Sequence, residues 1–150
     1  MHATTSHRHT SKFLAGALAL LWAGALLGVS FIATPVKFWA HSLTLPVALD
    51  VGRQTFQFFT KLELGTLALL TALVFASQRD WMPRALMALL AALLALQLVW
   101  LLPALDQRVE LVLHNQLPAP SHVHQVYIAC DAWKFVLLLA LYWTTSKPLK

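Results

Sequence analysis

From Ala85 to Leu102 the chain carries no charged side chain. As an α-helix this stretch rises about 27 Å, close to the ~30 Å hydrocarbon thickness of a bilayer. Similar runs recur along the sequence. They fit into 150 residues of which 59% are hydrophobic and only 11% charged, where a soluble domain carries about 25% charged residues. Such a chain either enters a membrane or aggregates, and uninterrupted runs of spanning length decide for the membrane.

Four spans are expected. The first covers residues 13–34, about 33 Å of helix. The basic start at Arg8 and Lys12 resembles a signal peptide, but the apolar stretch is too long for its hydrophobic region, so an uncleaved helix is expected. Gly16, Ala17, Gly24, Ala25 and Gly28 give it small faces for close helix contact, and Gly24 with Gly28 forms a GxxxG. Pro35 stops this helix. Residues 38–45 read as a loop, with Trp39 suited to the membrane–water boundary. The second helix runs from Pro46, tolerated in a first turn, to Ser77. After a tight polar turn with Arg79, Asp80 and Arg84, the third runs from Pro83 to His114 and kinks at Pro103. The fourth covers residues 121–145. The domain layout is therefore a polar tail at 1–12, a transmembrane domain at 13–145 and a short tail at 146–150.

A net charge of +5 would point to nucleic acid in a soluble chain. Here the cations gather at chain ends and loops, which excludes that partner and instead gives an orientation. Arg8, Lys12, Arg79, Arg84, Lys147 and Lys150 fall on one side; Lys37, Arg53, Lys61 and Arg108 fall on the other. The expected architecture is an all-α integral membrane four-helix bundle with both termini cytoplasmic, multi-pass in a bacterial inner membrane. The single cysteine, Cys130, rules out an internal disulfide and a CxxC site.

Three constellations carry possible chemistry, all toward the opposite side from the termini. Asp50, Arg53, Gln57 and Lys61 share one face of the second helix. That face is either a solvated stripe or a basic surface for an anionic group, with Arg53 and Lys61 as its cations. Asp106, Glu110 and His114 stack on one face of the third helix and complement the first stripe or supply metal ligands. On the fourth helix, His124, Tyr127, Asp131 and Lys134 lie within about 80° of arc at ~100° per residue. Counting from Trp143, Lys134 sits about 13 Å into the membrane and Asp131 about 18 Å, and Glu63 reaches similar depth about 20 Å from Ser77. An unpaired charge there costs at least about 2.5–3.5 kcal/mol. Glu63, Asp131 and Lys134 are therefore expected to point into the bundle and pair, with Tyr127 and His124 above them. Such a cluster is a ligand or ion pathway, or else a buried pair that fixes helix register.

His122 and His124, with His114, form a candidate metal or haem site, since imidazole suits Cu, Zn and haem iron. Their spacing fixes no ligand geometry. The sequence holds no Walker loop, GxSxG or HExxH.

Residues 28–38 (GVSFIATPVKF) and 51–56 (VGRQTF) resemble small four-span bacterial integral membrane proteins of unknown function. Pro35 and Phe38 match the apolar–Pro–x–x–Phe end of their first helix. Gly52, Arg53 and Phe56 match a Gly-Arg-x-x-Phe in their second, and residues 122–127 match a His-containing start to their last. The resemblance implies a four-helix bundle and assigns no activity or catalytic residue. The functional expectation is binding or transport of a small or anionic ligand through the Glu63, Asp131 and Lys134 cluster. Alternatives are metal or haem handling, and a structural accessory subunit held to membrane-protein partners or to its own copies by small-residue faces.

Overall fold

The computed structural model describes residues 2–77 and 80–146. Arg79, Lys147 and Lys150, three of the cations behind the expected orientation, lie outside the described residues, as do residues 147–150 of the expected C-terminal tail. Four helices are long and apolar enough to cross a membrane: His7–Lys37, Leu45–Ser77, Trp81–Leu113 and Val123–Ser146. The first and third each pack against the second and the fourth, closing a four-helix bundle.

The first helix begins at His2, well ahead of Phe13. The residues expected as a polar tail continue the helix, because propagating an existing helix costs far less than nucleating one. Lys12 is buried at the bundle end. The second helix starts at Leu45, with Pro46 inside its first turn. In lipid its hydroxyls need acceptors. Thr60, Thr66, Thr71 and Ser77 each donate to the carbonyl four residues back, at 2.6–2.8 Å.

Two prolines shape the first and third helices without breaking them. The proline ring clashes with the carbonyl four residues earlier, here those of Phe31 and Val99. Each helix widens into a π-turn just before its proline, over Leu27–Ala33 and over Gln97–Leu101. The Thr34 and Leu102 amides then donate five residues back, to the Val29 and Gln97 carbonyls. The Thr34 hydroxyl adds a second bond to the Val29 carbonyl at 2.8 Å. The expected kink at Pro103 is thus a π-turn that keeps the backbone bonded in a medium with no water to replace a lost bond.

With hydrocarbon outside, little hydrophobic drive acts between helices, and close backbone approach has to supply the packing. Ala15, Gly16, Ala19 and Ala23 form the buried stripe of the first helix. A Cβ on Gly16 would lie 2.9 Å from Thr145 Oγ1 and 3.5 Å from Tyr142 Cδ2. The GxxxG glycines do not serve this contact: nothing lies within 4 Å of a Cβ placed on Gly24 or Gly28. One apolar cluster, including Leu70, Val74, Leu90, Leu138 and Leu141, fills the end of the bundle near the termini. A second, of Leu101, Leu102, Tyr127 and Cys130, fills the other end. The ionisable residues lie between the two.

Candidate functional site

Each helix places one polar side chain near the middle of its span. Trp22 and Gln97 are the central residues of His7–Lys37 and Trp81–Leu113, Lys134 is at the centre of Val123–Ser146, and Glu63 lies two residues past the centre of Leu45–Ser77. With Asp131, one turn before Lys134, these side chains form one bonded network. Lys134 Nζ is 2.6 Å from Glu63 Oε1 and 3.0 Å from Asp131 Oδ1. Trp22 Nε1 donates to Glu63 Oε1 at 3.0 Å, and Gln97 Nε2 donates to Asp131 Oδ1 at 2.8 Å. Glu63, Asp131, Lys134 and Gln97 are each no more than 1% exposed. The expected pairing of Glu63, Asp131 and Lys134 is therefore present in the structure.

Sequence reasoning missed Trp22 and Gln97. Both had a readable signal. A tryptophan far from either membrane interface is out of its usual belt, and its indole N–H needs an acceptor. Gln97 is the one polar side chain in the uncharged run of the third helix, and an amide in hydrocarbon must find partners.

The cluster is unbalanced in two ways. Two carboxylates face one ammonium, so its ionised form carries one excess negative charge. Two of its acceptors, Glu63 Oε2 and Gln97 Oε1, are buried with no hydrogen-bond partner among the described residues. A buried polar atom left unpaired costs about 1–3 kcal/mol. A purely structural pair does not need that surplus.

Two cavities lead to the cluster. The inner one has a volume of about 280 Å³ and is lined by Ser30, Thr34, Phe56, His124, Tyr127 and Asp131 among others. Tyr127, 2% exposed, stands directly above the cluster. Its ring meets Phe56 edge-on at 5.2 Å. The outer cavity, about 90 Å³, is lined by Lys37, Gly52, Arg53, Asp106 and a majority of apolar side chains. The two share Thr34, Phe38, Phe56 and His124. Pro35, Phe38, Gly52, Arg53, Phe56 and His124 line one or both cavities. No protein-family model, curated protein or solved structure matches this chain.

At the rim, the acidic face of the third helix answers the mixed face of the second. Arg53 Nη1 binds Glu110 Oε2 and Nη2 binds Asp50 Oδ1, both at 2.8 Å, while Gln57 donates to Asp106 at 2.9 Å. Lys61, expected beside Arg53 as an anion-attracting cation, is exposed and lines neither cavity. Lys37, from the end of the first helix, lines the outer cavity together with Arg53.

The three histidines are not brought together. His114 Nδ1 bonds the Glu110 carbonyl oxygen at 2.9 Å, His122 is exposed just before the fourth helix, and His124 faces the cavities. Among the described residues no three His, Cys, Asp or Glu side chains converge as metal ligands.

Proposed function

We propose that this protein binds a small anion from the side opposite its termini and moves it with a proton, using Glu63, Asp131 and Lys134 as the proton-exchanging centre. The observation that carries the reading is a buried cluster at mid-span in which two carboxyl groups share one ammonium and a Glu63 oxygen is unpartnered among the described residues, reached by a cavity that ends on Asp131; fully ionised, it holds one excess negative charge. An anion arriving ~10 Å from that excess charge is opposed by about 1.7 kcal/mol at an effective dielectric of ~20. Uptake of one proton cancels the opposition, so anion and proton travel as a neutral pair. Tyr127 and His124 line the cavity together with Asp131 and supply the groups through which the proton passes. On the charge count, the termini are cytoplasmic, and the short loops fit a bacterial inner membrane.

The test uses purified protein in vesicles that hold a pH-sensitive dye. Octanesulfonate added outside should acidify the lumen, because this anion stays charged and enters only with a carried proton. E63Q/D131N/K134M vesicles should not acidify. Equal responses from wild-type and variant vesicles refute the reading.

A further inference from the structure

We infer that the outer cavity seats the head of a singly charged amphiphilic anion, an oxyanion on an apolar body, between Lys37 Nζ and Arg53 Nε. This rests on the anion-binding function proposed above and names its ligand class.

Two basic residues, each with a donor that has no acceptor among the described residues, line the same cavity. Lys37 is half-buried, and among the described residues its ammonium has no ion-pair partner; it lies 5.1 Å from the centroid of the Phe38 ring and close against the Gly52 backbone. The two terminal nitrogens of Arg53 are taken by Glu110 and Asp50. Its Nε is buried and has no acceptor among the described residues. A carboxylate, phosphate or sulfonate presents two or more oxygens and can accept from both at once.

Gly52 is what lets Lys37 in. A Cβ at position 52 would collide with the Lys37 ammonium, so the bare backbone of the second helix leaves the space the cation occupies beside Arg53. The remaining lining is mainly hydrocarbon: Phe38, Leu49, Phe56, Leu102, Leu105 and Val109. That surface offers an aliphatic body a favourable place and a hydrated anion none.

The charges on the other side of the seat set the ligand's valence. Asp106 also lines the outer cavity, with Oδ2 held by Gln57, and the inner cavity ends on Asp131. A second negative group on the ligand would face one carboxylate or the other. One anionic head with a neutral remainder is the composition this arrangement admits.

The shared chemistry comes from a free amphiphile or from a bilayer lipid, and the experiment separates them. Full-length protein in phosphatidylcholine nanodiscs is titrated with octanesulfonate, with methanesulfonate and octyl glucoside as head-only and body-only controls and empty nanodiscs for partitioning. Binding of octanesulfonate alone, weakened at least tenfold by K37Q and retained by K37R, supports the seat for a free amphiphile. In parallel, protein from nanodiscs containing phosphatidylglycerol is examined by native mass spectrometry. Retention of phosphatidylglycerol by wild type and K37R but not K37Q supports the seat with a bilayer lipid in it. G52V, which displaces the ammonium without removing it, should match K37Q in whichever arm responds. If K37Q and G52V hold both probes as wild type does, or wild type holds neither, the inference is overturned. The transport reading fails separately: octanesulfonate that binds at Lys37 but carries no protons leaves the seat standing.

Discussion

Replacing Lys134 with methionine tests the central cluster most directly. Methionine keeps much of the side-chain volume and removes the one cation between Glu63 and Asp131, which bind its ammonium at 2.6 and 3.0 Å. Both carboxylates are no more than 1% exposed, so neither gains solvent in exchange. Losing one partner of a buried pair costs about 3–5 kcal/mol, which at 1.4 kcal/mol per tenfold is a drop of about a hundredfold or more in the folding equilibrium. The second half of the test removes the stranded charges as well. E63Q/D131N/K134M exchanges the ionic cluster for neutral groups of similar size, and replacing all partners of a buried ionic group is often close to neutral. The triple variant should recover stability to within about 1 kcal/mol of wild type. The assay is reversible unfolding in mixed micelles, followed by helical circular dichroism. A loss below about 1 kcal/mol in K134M, or a triple variant no more stable than K134M, would refute the reasoning, because either result means the charges are not mutually dependent.

The packing and the span layout can be tested in the same way. In the same unfolding assay, Gly16→Val should cost about 1–3 kcal/mol by driving a side chain into Thr145, whereas Gly24→Val, which meets open space, should change stability by no more than about 0.5 kcal/mol. Gln97→Leu removes the donor to Asp131 and should destabilise by about 1–3 kcal/mol; a loss below about 0.5 kcal/mol would show that this amide is peripheral. A membrane-impermeant thiol reagent should label single cysteines at His9 and Ser146 from the cytoplasmic side and at Ser42 from the opposite side of oriented membranes, on a Cys130→Ser background; labelling of His9 and Ser146 from different sides would break the four-span topology.

The spans were legible because a bilayer imposes one strong rule, a run of apolar residues of set length, and the runs in this chain obey it. The helix ends were less so: Phe13 looked like a start because hydropathy changes there, yet backbone bonding carried the helix back to His2. Glu63, Asp131 and Lys134 could be grouped beforehand because charges in lipid have few places to go and helical spacing aligned two of them. The partners Trp22 and Gln97 escaped because neither is charged. Lys37 escaped for a different reason. Its position depends on the π-turn before Pro35 and on the missing side chain at Gly52 in another helix, and no local pattern joins those two facts. Lys61 illustrates the converse, since it shares a helix face with Arg53 but does not line the same cavity.

The two π-turns also keep the halves of each proline-bearing helix in phase. A π-turn holds one residue more than an α-turn, so the residues beyond it face as they would in a helix one residue shorter. Lys37 and Phe38, or Leu102 and Asp106, reach the cavity with that extra residue absorbed behind them. A one-residue insertion or deletion in the regular winding elsewhere in these helices would instead turn everything beyond it by about 100° around the helix axis, and so carry the entrance away from the buried centre.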